Sequence, residues 1–479
     1  MHSLITILLW AFWPVAWAAN LTENTPANGV DSMYFEAEIS AIASSGQYAP
    51  SLLHANRRAM YSNAPFSGTL AASVFKPALA HQRWFDYDFG ANLTGYLHSP
   101  LPNENKIAGT GFTNLFYAHA RVFMFDFTAG IQPTEDRTIV GDFLFSRNAH
   151  PMPRVSVGID QYTPFPGLFG YVDIRGGMAH YWQSPKCLVA PTNPAVYDNF
   201  IHHKYVGVQL NIPASTKVIL SMSYEFHHAV QWGGYSAKYG DLGNDWSAFK
   251  NAFMALGGGT VAMDQTNAQG NHIASQRLAM NIHSTPTDDG TYWFVRAYWQ
   301  NINEDGPIRF MGMGMNPRDG IWGVQVKQKF WRFISEVHYE LLNTTDQSGP
   351  YHDKDGYVYG GQDNYYQNGI YSAGWTYWGA SVGAAMVVPQ NSRVHAHFIL
   401  VKGDINGYEY CFVSAISKHY GTYRNPSFAQ NTGLLLEVDK RVYSGLTAGI
   451  RLACDIGTLF GPSYGAELHL KVDGAVMGW

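Results

Sequence analysis

Residues 446–456 read LTAGIRLACDI, and residues 464–473 read YGAELHLKVD. In both segments apolar and polar side chains alternate, with Arg451 and Glu467 on the polar faces. Successive side chains of a β-strand point to opposite faces, so each segment predicts a strand with one apolar and one charged face. In a soluble sandwich the apolar face would pack on a second sheet. In an outer-membrane barrel it would contact lipid, and the charges would line the lumen.

The same alternation recurs along most of the chain after residue 34, for example in 291–300, 333–341 and 393–400. The predicted strands have roughly nine to eleven residues, which matches a tilted membrane span. Aromatic side chains at strand ends fit the girdles of an outer-membrane barrel. These girdle candidates are Trp293, Trp299, Trp322, Trp331 and Tyr464.

The connections between predicted strands differ greatly in length. Residues 331–332, 444–445 and 458–463 form short connections, whereas 229–274 and 342–378 form very long ones. Short turns on one side of the membrane and long loops on the other are typical of outer-membrane barrels. We therefore expect the apolar strand faces, with residues such as Leu446, Ile450 and Leu468, to contact lipid. Arg451, Glu467 and Lys471 would line a closed lumen.

Composition supports this class of protein and excludes others. Charged residues make up 14% of the chain, aromatic residues make up 15%, and the net charge is −5. No basic block is present, so the sequence gives no indication of nucleic-acid binding. After residue 18 no run of about 18 apolar residues occurs, so no transmembrane helix is predicted.

The N-terminus has the pattern of a secretory signal peptide. An apolar run covers residues 4–17, and Ala16-Trp17-Ala18 fits a small-x-small cleavage site. We expect cleavage near Ala18, which gives a signal peptide at 1–18 and one barrel domain at 19–479. At about 25 residues per strand and loop, the mature chain would form roughly 16–20 strands.

One long loop contains a predicted helix. Asn244 and Asp245 precede a stretch from Trp246 to Leu256 with apolar residues near helical spacing, and Gly257 follows. Asp is a common N-cap residue and Gly a common residue just beyond a helix end. The sequence therefore predicts an all-β, antiparallel transmembrane barrel that is closed by long extracellular loops, one of which contains a short helix.

Several uncommon strings in the loops, taken in order, resemble the Wzi-type capsule assembly family, in particular its Bacteroidetes branch. They are FSRNAHPMP (145–153), QWGG (231–234), DQTNAQGNH (264–272), NEDG (303–306), DQSGPYHD (346–353) and DNYYQNGIY (363–371), with Tyr48-Ala49-Pro50 and Asn56-Arg57 earlier. The resemblance extends from about residue 34 to residue 473. Residues 19–29 leave no room before the first strand for the periplasmic helical bundle of the enterobacterial relatives.

The resemblance implies an outer-membrane barrel of about 18 strands that acts as a lectin for capsular polysaccharide and helps to retain it at the cell surface. The expected partners are capsular polysaccharide and outer-membrane lipid, with the capsule export machinery as a further candidate. We expect a monomer with no catalytic activity, no cofactor and no nucleic-acid partner.

The candidate carbohydrate-binding residues combine flat aromatic faces, which suit the C–H faces of sugars, with hydrogen-bonding groups that select hydroxyl patterns. They are Trp232, Asn271, His272, Glu304, Asp305, Asp363, Asn364, Tyr365, Tyr366, Tyr371, Trp375 and Trp378. For each aromatic residue the alternative is that its ring folds the loop over the barrel mouth.

Two strand faces carry residues that also suit other roles. Glu336, His338 and Glu340 share one strand face, as do His395 and His397, and either set could bind a metal or act as an acid–base pair. We prefer a polar lumen in which charges pair across strands, and we predict no metal site. The alternative functions are an outer-membrane porin or transport channel and, less favoured, a secreted glycan-active enzyme, which would need a carboxylate pair across a cleft.

Overall fold

The computed structural model describes residues 32–78, 84–102, 105–134, 136, 138–168, 170–183, 196–215, 217–266, 268–284, 291–304, 316–350, 353–354, 357–358 and 361–478. The predicted signal peptide at 1–18 lies outside these residues.

Within the described residues, eighteen antiparallel strands form one closed barrel, as the alternation predicts. The strands are β1 (Ser32–Ser44), β2 (Phe66–Lys76), β3 (Phe85–His98), β4 (Ala108–Phe112 and Phe116–Val122), β5 (Phe125–Ile131), β6 (Pro153–Pro164), β7 (Val172–Gln183), β8 (Asn199–Ser215), β9 (Val218–Trp232), β10 (Asn271–Ser284), β11 (Trp293–Gln300 and Asn303–Glu304), β12 (Gly320–Gln328), β13 (Glu336–Asn343), β14 (Val394–Ile405), β15 (Tyr408–Gly421), β16 (Pro426–Tyr443), β17 (Leu446–Gly457) and β18 (Ser463–Gly478).

Each strand pairs with its neighbours in the chain, and pairing of β1 with β18 closes the barrel. The register of that pair runs from Ser32 opposite Gly478 to Ser44 opposite Gly465. The two segments of β4 pair with different halves of β3, and the two segments of β11 pair with different halves of β10. Because these strands close on themselves, the sheet they form has no unpaired edge. A sheet that spans a membrane must lack such edges, since lipid cannot hydrogen-bond to them.

The two ends of the barrel carry different connections. One end, called the turn end, has only short ones, which are 77–84, 123–124, 165–171, 216–217, 285–292, 329–335, 406–407 and 444–445. The other end, called the loop end, holds the long connections, of which 233–270 and 344–393 are the longest. The connection 458–462 is short but also lies at the loop end. The end to which a connection belongs therefore follows from the order of the strands and not from the length of the connection.

From the middle of the wall to the turn end, the two faces of β17 and β18 have the predicted character. Leu468 is 61% exposed on the outer face, whereas Glu467 beside it is fully buried inside. Arg451 Nη1 donates to Glu467 Oε1 at 2.6 Å across neighbouring strands. Lys471 also points inward and forms an ion pair with Glu36. The prediction that these charged residues line the lumen is therefore confirmed.

On β14 the inner face becomes apolar toward the loop end, which the alternation pattern does not predict. Val394, Ala396 and Phe398 of β14 face inward and are buried in the main hydrophobic cluster. His395 and His397 therefore point outward, where His397 Nδ1 lies 2.9 Å from the hydroxyl of Tyr339. Their assignment to the polar lumen is wrong, because the inner wall here packs against apolar loop residues instead of charges.

Three segments from the loop end supply those residues and are called the plug: 45–65, 138–152 and 361–393. The first contains the short helix α1 (Ser51–His54), whose Leu53 is fully buried against Val413 and Leu435 of the wall. The other two segments form the main cluster with the inner faces of β7 to β15. The plug thus fills the loop end of the barrel from inside.

The predicted loop helix is present but packs outside the barrel. Helix α2 (Trp246–Met254) is capped by the Asp245 side chain, which accepts from Ala248 N at 2.8 Å, and it ends at Ala255 in the left-handed conformation. The ring of Phe249 contacts His202, which faces away from the lumen. A further short helix, α3 (Ala262–Thr266), follows in the same loop. No helix in the described part of the chain is long and apolar enough to cross a membrane.

Candidate functional site

The centre of the plug is built from the aromatic residues that the sequence analysis proposed as sugar contacts. Trp375, Tyr365 and Tyr366 are fully buried, together with Phe143 and Leu144 from the second plug segment. The wall residues against which this cluster packs are Ile201, Ile273, Ile321 and Leu342, all fully buried. Burial of each large side chain contributes about 1.5–3 kcal/mol, so these contacts hold the plug in the barrel.

Hydrogen bonds between plug segments fix the positions of these rings. The indole Nε1 of Trp375 donates to the carbonyl of Leu144 at 2.7 Å, and the hydroxyl of Tyr366 donates to the carbonyl of Phe143 at 2.6 Å. Burial raises the pKa of Tyr366 well above its usual value, so its hydroxyl remains a donor. A Cβ atom on Gly383 would lie 2.2 Å from both the Phe143 carbonyl oxygen and the Tyr366 hydroxyl, which explains the glycine there.

Asp319 and Asp363 anchor the start of the third plug segment. Asp319 Oδ2 accepts from the Tyr365 hydroxyl and from Gln347 N, both at 2.7 Å. The hydroxyl of Ser348 donates to the carboxylate of Asp363. Burial raises the pKa of both Asp319 and Asp363 above the usual range for this residue. Asp363, predicted to bind sugar, is thus engaged in holding the loop.

Glu304 and Asn364 have similar roles within the protein. The carboxylate of Glu304 accepts from the backbone N–H of Tyr366 at 2.6 Å, which ties the second segment of β11 to the plug. The Asn364 amide oxygen accepts from the hydroxyl of Ser392 at 2.5 Å. Their neighbour Asp305 lies outside the described residues.

The remaining predicted residues are also mostly buried. Trp232, Asn271 and His272 lie buried at the loop ends of β9 and β10. Trp232 packs against helix α2, whereas Asn271 Nδ2 donates to Gln231 Oε1 at 3.3 Å. His272 stacks on His228 at a centroid distance of 5.2 Å. Trp378 is half-buried, with its ring edge-on to that of His150 at 4.0 Å.

Tyr371 links this buried set to the surface. Its hydroxyl donates to the carbonyl of Gly233 at 3.1 Å, and its ring packs against Leu242 and Ile370. The structure therefore brings the predicted residues together as a folded support, and their rings contact protein rather than solvent. Exposed residues at the loop end, which this support holds in place, are therefore the better candidates for sugar contact.

The exposed candidates belong to a small three-stranded ribbon at the loop end. It consists of Val196–Tyr197, Tyr235–Ser236 and Gly240–Asp241 and is called the tyrosine ribbon. Tyr197 and Tyr235 are directly opposite each other in the antiparallel register, with exposures of 37% and 57%. Directly opposite side chains lie on the same face at about 4.5–5.5 Å between Cβ atoms, so the two tyrosines stand side by side on one face, called the aromatic surface.

Polar side chains surround this aromatic surface. Asp241 is the register partner of Tyr235 on the other side of the ribbon and is exposed. Asp198 and Lys238 are exposed beside the same two strands. Sequence reasoning missed the tyrosines, although Tyr235 directly follows the string at 231–234. Tyr197 has no local signal in the sequence, because only the fold places it opposite Tyr235.

The acidic face of β13 has a structural role in this structure. Glu340 is fully buried, and its two carboxylate oxygens accept from Ile139 N at 2.8 Å and Val140 N at 2.9 Å. It also accepts from the hydroxyl of Tyr298. Glu340 therefore anchors the second plug segment to the wall, as the interpretation of a hydrogen-bonded polar lumen predicts.

One group of potential metal ligands lies in the lumen near the turn end. Single oxygen or nitrogen atoms of Glu437, Asp439 and His469 lie within 4.8 Å of one another. Arg451 already donates to Glu437 at 2.7 Å, and His469 Nε2 lies 3.0 Å from Asp439 Oδ1. Because Glu437 already accepts from Arg451 and Asp439 already has His469 as a hydrogen-bond partner, the group fits the charge-paired, hydrogen-bonded lumen better than a metal site.

Comparison with known proteins identifies solved structures of similar fold. No protein-family profile matches the sequence, and no curated protein matches it. The fold is similar to that of Wzi from Escherichia coli, an outer-membrane protein involved in group 1 capsule assembly and described as a carbohydrate-binding β-barrel. That match has a TM-score of 0.51 and 16% sequence identity, and it covers 93% of this chain and 84% of Wzi.

The chain is an outer-membrane β-barrel. Other solved barrels resemble it as well, such as a BenF-like porin from Pseudomonas fluorescens Pf-5, with a TM-score of 0.47, 9% identity and coverage of 95% of this chain and 100% of the porin. OccK7 (OpdD) of Pseudomonas aeruginosa has a TM-score of 0.46 and 10% identity, with coverage of 94% and 100%. In this class of fold the long loops are extracellular and the short turns periplasmic, which places the tyrosine ribbon at the cell surface.

Proposed function

We propose that this protein is a non-enzymatic, lectin-like barrel that binds capsular or other extracellular polysaccharide and helps to retain it at the cell surface. The observation that supports the proposal is the combination of a folded plug with the exposed tyrosine ribbon above it. A plug held by fully buried Trp375 and Tyr366 suits a fixed binding surface better than an open passage. The similarity to Wzi agrees with this choice but at 16% identity supports only the fold.

The chemistry of the ribbon suits a glycan. A tyrosine ring offers a flat apolar face to the C–H groups of a pyranose and a hydroxyl at its edge for hydrogen bonding. Two such rings in register can contact successive sugar units of one chain. Exposed Asp198, Asp241 and Lys238 can bind hydroxyl groups beside them.

Replacing both tyrosines of the ribbon with alanine should weaken polysaccharide binding about ten-fold, or about 1.4 kcal/mol, because both flat apolar contacts with the sugar are lost. Binding of the purified barrel in detergent to immobilised surface polysaccharide from its own source would be measured by interferometry. Tyr443→Ala is the matched control, since Tyr443 is 72% exposed but lies at the turn end.

The control should bind as the wild type does, and all three proteins should show the heat-dependent gel mobility of a folded barrel. Equal affinity of Tyr197→Ala/Tyr235→Ala and wild type would remove the ribbon from the binding site. The alternative function, a porin or transport channel, predicts ion conductance through the wild-type protein in planar bilayers.

A further inference from the structure

The outer wall of β7 to β10 carries a continuous strip of exposed apolar side chains, called the apolar band. Each of its residues is between 41% and 50% exposed, and along the strands they alternate with residues of the inner face. In an outer-membrane barrel such a strip is where the wall contacts the acyl chains of lipid. The residues of the band are Met178, Val206, Val208, Leu210, Ile212, Met222, Leu278 and Met280.

Helix α2 packs on the same outer wall, at the edge of the band that faces the loop end. The rings of Phe249 and Phe253 contact the ring of His202, at centroid distances of 5.3 and 5.1 Å. Lys204 Nζ donates to the carbonyl of Phe253 and lies 4.0 Å from the centre of its ring. On the outer face of β8 the next residue after Lys204 is Val206, which belongs to the band. The helix and the band therefore form one continuous surface.

The C-terminal end of α2 is the part nearest the band. Ala255, which follows the helix, packs against Ala274 of β10, and Phe226 of β9 packs against this pair. Phe226 is the register partner of Val206. Met254, which is 55% exposed at this end of the helix, therefore lies at the level where the band begins.

The two sides of α2 differ in polarity. Phe249 and Phe253 stand on the side toward the band, and the ring of Trp246, 75% exposed, lies 5.5 Å from that of Phe249 and extends this aromatic side. On the other side Asn251 Nδ2 donates to Gln269 Oε1 at 3.1 Å, just before the loop end of β10. Tryptophan and other aromatic rings on one side and polar groups on the other are typical of a helix that lies in a membrane interface.

The height of α2 on the barrel agrees with that position. Ile212 lies in the part of the band nearest the turn end, and His202 beneath α2 is ten residues away on β8. At about 3.3 Å per residue and a strand tilt of about 40°, this separation is about 25 Å along the membrane normal. The lipid-facing band of an outer-membrane barrel is also about 25 Å tall. Helix α2 therefore lies where the band ends and the outer lipid–water interface begins.

We propose that α2 is an interfacial helix whose Trp246 and Met254 rest in lipid of the outer leaflet, between the acyl chains and the headgroups. Lipid is the occupant of this surface because the surface continues a wall that already contacts lipid. The inference does not depend on what the tyrosine ribbon binds.

The placement of α2 has a consequence for the ribbon. Asn244 precedes the capping residue of α2, and its side-chain oxygen accepts from the backbone N–H of Gly234 at 2.8 Å, next to Tyr235. The same loop thus contains both the ribbon and the helix. Lipid contact by α2 would hold the ribbon at a fixed height above the membrane.

Spin labels on the full barrel in lipid bilayers test this placement. Met254→Cys, Lys238→Cys or Leu278→Cys would supply a single labelling site after Cys187, Cys411 and Cys454 are replaced by serine. The ratio of label collisions with oxygen, which concentrates in lipid, to collisions with a water-soluble nickel chelate reports depth. The ratio at position 254 should be several-fold higher than at position 238 of the exposed ribbon, and lower than at position 278 in the band.

Trp246 supplies a second measurement that needs no label. Phospholipid brominated near its headgroup should quench the part of the tryptophan emission that is lost in Trp246→Phe. Trp378→Phe is the matched control, because Trp378 lies in the plug and its share of the emission should not respond to the brominated lipid. Heat-dependent gel mobility should show that every variant is folded.

Three results would overturn the inference. A label at position 254 that is as accessible to nickel as the one at position 238 would place α2 in water, and so would Trp246 emission that brominated lipid leaves unchanged. Spin–spin broadening between labels at position 254 of two barrels would show that a second copy, instead of lipid, covers the helix.

Discussion

Trp375→Ala is expected to open the barrel to ions while the barrel wall itself stays folded. Trp375 is fully buried at the centre of the plug, and its indole donates to the carbonyl of Leu144 at 2.7 Å. Removing a buried tryptophan side chain costs about 3–5 kcal/mol. That cost falls on the packing between plug segments, because the strand-to-strand hydrogen bonds of the wall do not involve this residue.

Two measurements separate opening of the plug from unfolding of the barrel wall. Planar-bilayer recording should show frequent openings for Trp375→Ala and rare ones for the wild type, while the temperature at which the barrel loses its heat-dependent mobility should change little. Trp246→Ala is the matched control, since Trp246 is 75% exposed on the outer helix α2. A variant that remains as closed as the wild type would show that the plug does not depend on this cluster.

Glu467→Ala, in contrast to Trp375→Ala, should greatly lower the stability of the barrel wall itself. The Glu467 carboxylate is fully buried between Arg57, at 2.9 Å, and Arg451, at 2.6 Å. Its removal leaves two cations in the lumen with one fewer acid to balance them. Breaking a buried ion pair in this way costs about 3–5 kcal/mol.

The expected result is a clearly lower midpoint for denaturant or heat unfolding of the purified barrel in detergent. Leu468→Ala, at the next position on the outer face, is the control and should change the midpoint much less in the same detergent, because Leu468 is 61% exposed. Equal midpoints for Glu467→Ala and wild type would contradict the assignment of this face to a charge-paired lumen.

The fold could be predicted from the sequence where the lumen is polar. At 446–473 alternation distinguishes Glu467 from Leu468, and only one assignment of faces avoids placing charges in lipid. Near the loop end this rule fails. There β14 has Val394 and Ala396 inside and His395 outside, because the plug replaces water in the lumen and makes an apolar inner face favourable.

The candidate site was harder to predict, for a related reason. A loop that folds into a barrel needs its own aromatic core, so the composition of 363–378 fits both a buried support and an exposed sugar site. The structure places Tyr365 and Trp375 in the core, whereas Tyr197 becomes an exposed neighbour of Tyr235 only through a pairing distant in sequence.

The central claim is that this barrel retains polysaccharide at the cell surface, and the most direct test measures cell-bound and shed polysaccharide in the source organism. Deleting the gene should move polysaccharide from the cells to the medium without reducing total synthesis. The wild-type protein should restore retention, and the Tyr197→Ala/Tyr235→Ala variant should restore it only in part. Unchanged amounts of cell-bound and shed polysaccharide after deletion would contradict the claim.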